Sequence, residues 1–96
     1  CFVLDPNLDK KRYLTGSHLI AGNPKVVHHA LMFLDESGEG AAKADADGGY
    51  DCFGGPEISK ATLIAAWAPG GGCTAARFIC VKPSLPSTSI AVTTAW

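Results

Sequence analysis

The apolar residues of this chain fall in short runs set off by turn residues. The strongest run is Lys25 to Leu34, which reads Val26-Val27-His28-His29-Ala30-Leu31-Met32-Phe33-Leu34 after its lysine. Its near-continuous apolar character predicts a strand covered on both faces. Arg12 to Ile20 carries Tyr13, Leu14, Leu19 and Ile20 and reads as an imperfect strand interrupted by Gly16. Between these two, Ala21-Gly22-Asn23-Pro24 predicts a tight turn, because Gly and Asn tolerate positive φ and Pro fixes its own. Pro6, Asn7 and Asp9 mark an opening turn. Ser59 to Ala68 is ambiguous: Ser59 can start a short helix, and Thr62-Leu63-Ile64 fits a strand equally well. Pro69-Gly70-Gly71-Gly72 ends that element. Ala76 to Lys82 and Thr88 to Ala95 read as two further strands, separated by Pro83 and Pro86. Short strands with turn signals between them predict an all-β chain, an antiparallel β-sandwich.

Composition narrows the function classes. Ninety-six residues make one small domain or a piece of a larger one. The net charge of −1 carries no basic excess, which argues against a nucleic-acid partner. No stretch approaches the roughly 20 apolar residues of a membrane span. The chain opens at Cys1 with neither a start Met nor a signal-peptide pattern, and reads as an incomplete segment. Six of its nine acidic residues lie in the polar, Gly-rich stretch Asp35 to Asp51, which predicts a loop. The four cysteines, Cys1, Cys52, Cys73 and Cys80, are compatible with disulfides in an oxidising, extracytoplasmic compartment or with buried free thiols. No C-x-x-C occurs, which argues against a closed zinc knuckle.

Two of the three histidines, His28 and His29, are adjacent within the apolar run. Imidazole is the commonest protein metal ligand and is unfavourable to bury without a partner, so the pair reads as half of a copper or zinc site. The bland alternative is one solvated ring and one buried, hydrogen-bonded ring. In a regular strand neighbouring side chains point to opposite faces, so both rings reach one ion only where the strand bends or bulges. A hairpin through Ala21 to Pro24 would set His18 across from Val27 to His29, making it the candidate third ligand.

The order of these segments resembles a known family. Cys1-Phe2-Val3-Leu4-Asp5-Pro6, Tyr13-Leu14-Thr15-Gly16, Gly22-Asn23-Pro24-Lys25-Val26-Val27-His28-His29-Ala30-Leu31, Tyr50-Asp51-Cys52-Phe53 and Leu63-Ile64-Ala65-Ala66-Trp67-Ala68-Pro69-Gly70 look like the copper type II, ascorbate-dependent monooxygenases. These are the peptidylglycine α-hydroxylating and dopamine β-monooxygenases, with phrasing closest to the bacterial relatives. The resemblance covers residues 1–72, a partial N-terminal copper domain, and leaves 73–96 as a divergent tail. It implies a jelly-roll-like β-sandwich, incomplete here, with His28 and His29 holding the electron-transfer copper. It also implies a disulfide between Cys1 and Cys52, closing a loop of roughly 50 residues and contributing about 4 kcal/mol. In a complete enzyme of this kind ascorbate reduces two coppers, and a second domain hydroxylates a small-molecule substrate. This chain departs from the pattern in three ways. No histidine follows His29 to serve as the family's third ligand. The His-x-His and methionine of the catalytic copper are missing, so the second copper domain would be a separate partner. The family's second N-terminal disulfide has no counterpart, although Cys73 and Cys80 remain as a possible pair.

Three other readings stand beside this one. The chain fits a non-catalytic β-sandwich binding domain with a vestigial histidine pair. Asp45-Ala46-Asp47-Gly48-Gly49-Tyr50-Asp51 alternates carboxylates and glycines as a calcium loop does, but lacks the third aspartate of the EF-hand pattern. Ser17-His18 and Ser59 offer hydrolase nucleophiles without a Gly-x-Ser-x-Gly elbow. Met32 and Trp67 are expected to pack in the core.

Overall fold

The computed structural model describes residues 1–23, 25–71, 79–81 and 89–95. They form an all-β, antiparallel architecture with one short helix. In chain order the elements are β1 (Phe2–Leu4), β2 (Arg12–Leu14), β3 (His29–Asp35), α1 (Glu39–Lys43), β4 (Ala61–Trp67), β5 (Ile79–Val81) and β6 (Ser89–Ala95). Four strands make one sheet in the order β1-β6-β3-β4, and β2 pairs with β5 in a second. The ambiguous segment around Thr62-Leu63-Ile64 is strand β4, and both late strands are present as β5 and β6. The stretch read as loop holds α1.

The first half departs from expectation in two places. Strand β3 starts at His29; Lys25 and Val26 form a turn, the Asn23 carbonyl accepts the amides of Val26 and Val27, each at 3.1 Å, and Val27 and His28 lead into the strand. Of the run Arg12 to Ile20, only Arg12–Leu14 is strand, and it pairs with β5 rather than with β3. The expected hairpin therefore does not form. Both edges of β3 are already taken, by β4 and β6. Strand β1, unread in the sequence, owes its existence to β6 on one side and to residues 48–50 on the other. On that second side the Val3 amide reaches the Gly48 carbonyl and the Tyr50 amide reaches the Cys1 carbonyl.

Strand alternation sorts β3 into two faces. Ala30, Met32 and Leu34 look one way. There Leu34 and Ile64 are buried, with Leu8, Leu14, Met32 and Ile90 packed against them. Leu14 lies on β2, so the small sheet contributes to this core. Ile64 reaches it through a bulge. Met32 pairs with Ala65 and Phe33 with Leu63, which leaves Ile64 as the extra residue and turns it onto the Leu34 side.

Leu31, Phe33 and Asp35 look the other way, towards the segment carrying α1. Asp35 is fully buried at the end of β3. Its Oδ1 accepts the amides of Ser37 and Gly38, both at 2.9 Å, and the Ser37 hydroxyl at 2.6 Å. Its Oδ2 accepts the Gly40 amide at 2.9 Å and the hydroxyl of Ser89, its partner across β6, at 3.0 Å. A side chain at residue 40 would crowd this group, since a Cβ there falls 3.1 Å from Oδ2 and 3.5 Å from Val3 Cγ2. Burial pushes the Asp35 carboxyl up. The hydrogen bonds from Ser37, Gly40 and Ser89 outweigh it and hold the group below the usual carboxylate range.

Two outcomes follow from this carboxylate. Asp35→Ala strands five donors and is expected to lower the unfolding free energy by about 3 kcal/mol in a urea titration. Because the native carboxyl sits below its unfolded value, its contribution is complete above about pH 4 and is lost as pH falls through the native value. Asp35→Asn should therefore flatten the acid limb of the stability profile; an unchanged limb would show that another group governs it.

Candidate functional site

The turn at Asn23 to Val27 delivers His28 to the mouth of β3, with the Asn23 side chain accepting the Lys25 amide at 3.1 Å. His28 is exposed and His29, the first residue of the strand, is half-buried. Because His28 lies outside the pleat, the rule that sends neighbouring strand residues to opposite faces does not separate the rings. Their Nδ1 atoms stand 3.0 Å apart, with ring centroids at 5.2 Å and planes inclined by 68°. The contact is a hydrogen bond where one Nδ1 carries the proton and the other presents its lone pair. With both lone pairs free, the spacing suits two adjacent donors at about 2.0–2.1 Å from one ion, at an angle of roughly 90–100°. A linear two-imidazole site would need nitrogens about 4 Å apart.

His29 also lines an open cleft of about 890 Å³. Its walls include Phe2, Tyr50, Phe53 and Thr93, and the disulfide that joins Cys1 to Cys52. Burial, aided by the Asp35 and Glu57 carboxylates, pushes the Tyr50 phenol above its ordinary value. The phenol donates to the Pro56 carbonyl at 2.6 Å. The cleft floor is shaped by Asp45, whose Oδ1 accepts the amides of Asp47 and Gly49, each at 3.0 Å. The turn it organises passes through Gly48 at φ 78°, a conformation that disfavours any side chain. The carboxylate read as a calcium ligand is thus occupied by its own backbone. Ser59 donates through both its amide and its hydroxyl to Glu39, which ties the start of β4 to α1 and lowers that carboxyl.

His18 does not join the pair. It lines a separate cavity of about 250 Å³ with Leu14, Met32 and Trp67. Ala30 and Met32 face that cavity, so it lies across the sheet from His29. The cause is the missing hairpin. Among the described residues, no group of three His, Cys, Asp or Glu side chains is placed to share an ion. Cys73 and the side chain of Cys80 lie outside the described residues, as does Trp96. Trp67 is half-buried beside the small cavity. Sequence reasoning missed the contribution of Phe53, which is 95% exposed at the cleft mouth. Its signal was its place directly after a cysteine at the end of a polar loop.

Comparison with protein-family models, curated proteins and solved structures finds no match to this chain. Among the described residues no helix is long and apolar enough to cross a membrane. The disulfide is consistent with an oxidising environment.

The bridge spans 51 positions, so opening it releases a long loop in the unfolded chain. Reduction, or Cys52→Ser, is expected to lower stability by about 4 kcal/mol. The shift of the urea midpoint between the oxidised and reduced protein measures it, and coincident curves would contradict it.

Proposed function

We propose that this chain carries part of a copper site held by His28 and His29. In this reading it is a fragment of an extracytoplasmic, copper- and ascorbate-dependent monooxygenase, with residues 1–72 as a partial electron-transfer domain. The observation that carries the reading is the 3.0 Å spacing of the two Nδ1 atoms at the open end of β3. The Cys1–Cys52 bridge, which the family resemblance implies, supports it.

Copper bound there would supply one-electron exchange. The work of the protein is positional. The Asn23 turn and the first rung of β3 hold the two rings in place, and both present nitrogen donors suited to copper. The half-buried position of His29 shields one side of the pair from water, while the exposure of His28 leaves the other side open. Protons compete with the ion for each imidazole, so affinity falls on acidification. No third donor is gathered among the described residues, which favours a second reading: a β-domain that binds a partner and keeps the pair as a remnant.

Anaerobic titration of Cu(I) against a chromophoric competitor tests the choice. His28→Ala and His29→Ala are each expected to abolish stoichiometric binding while leaving the unfolding free energy within about 0.5 kcal/mol of the parent in a urea titration. Binding that survives both substitutions would take the histidine pair out of the site, and no binding by the parent chain would remove copper from the account.

A further inference from the structure

In the metal reading the histidine pair is half of a coordination sphere, and the rest of the described chain does not complete it. All three histidines are described residues, and His18 lies on the opposite face of the sheet. Met32 faces the same small cavity as His18. The cleft carboxylates Asp45 and Asp51 form no three-donor group with the pair. Two nitrogens 3.0 Å apart occupy two neighbouring positions of a tetrahedral or square ion and leave the others open.

We propose that a second copy of this chain fills those positions, so that one ion joins two chains through four imidazoles. The inference rests on the metal reading of the pair and adds its partner. A two-fold axis through the ion makes the contact self-complementary, with each copy giving the same two nitrogens. The pair is placed for it: His28 is exposed, and the pair sits where β3 begins, opposite Ala95 of β6, at an end of the sheet rather than in its middle. Val26, two residues before the pair, is 49% exposed and adds apolar surface beside it. Each chain carries a net charge of only −1, so two copies repel weakly and a cation between them is favourable. Two donors from one chain hold an ion weakly. Four from two chains hold it well, and association becomes dependent on the metal.

The test uses the whole chain with its disulfide intact, titrated with Cu(I) under argon. Zn(II) serves as a redox-silent second probe. Molar mass by light scattering and metal per chain are read together. The expected result is a doubling of mass at half an equivalent of metal, reversed by a chelator. His28→Ala and His29→Ala should lose it, and a Cys73→Ser/Cys80→Ser chain should keep it. One ion per chain on a monomer would overturn the bridged pair while leaving the copper reading intact. Loss of binding in the Cys73→Ser/Cys80→Ser chain would do the same, because a thiol of the same chain would then complete the site. No binding by the parent chain would overturn both. A dimer that forms without metal, or survives loss of the histidines, would overturn the bridge alone.

Discussion

A carboxylate taken out of water must be matched by donors, and Asp35 is matched by five from three parts of the chain. Two belong to Ser37, two are the amides of Gly38, just before α1, and Gly40, within it, and one is the Ser89 hydroxyl at the start of β6. The group thus joins the end of β3, the short helix α1, and the partner strand that arrives 54 residues later. Serine at 89 and glycine at 40 are chosen by this site, one to donate a hydrogen bond and the other to leave room. The loop from residue 36 onward can then lie over the sheet, and its far end closes the cleft on which His29 opens.

The disulfide acts at the other end of that loop. Asp35 fixes where the segment leaves the sheet, and Cys52 fixes where it returns, beside Cys1 and β1. Between them the Asp45 turn bends the backbone so that residues 48–50 can add hydrogen bonds to the outer edge of β1. A three-residue strand is too short to persist alone, and here it is held on both sides. The cleft is therefore a product of long-range fastening, with little regular structure in its walls.

Much of this was legible in the residues. Runs of apolar residues with Pro and Gly between them marked four of the six strands at about their true places; the cover expected on both faces of β3 is uneven, with Ala30, Leu34 and Asp35 buried while Leu31, Met32 and Phe33 stay half-buried. What escaped was information that local pattern does not hold. Tyr13 and Leu14 look like any strand fragment, and nothing in them says that their partner lies at Ile79–Val81 and not at Val27. With that partner misread, His18 was brought to the wrong face. Asp35 looked like one more acid in a polar loop, because its burial depends on a serine from the end of the chain. The histidine pair was visible at once, but its geometry turned on a boundary of one residue, and such boundaries are the least certain feature of any strand read from pattern.

That boundary has a further consequence. The ladder between β3 and β6 opens with the pairing of His29 and Ala95. Were the pleat to advance by one rung, His28 would enter it and its ring would swing to the far side of the sheet, away from its neighbour. Zipping of this end and meeting of the two rings are therefore opposing outcomes of a single equilibrium. Whatever grips both rings at once also stops the zipper one tooth short.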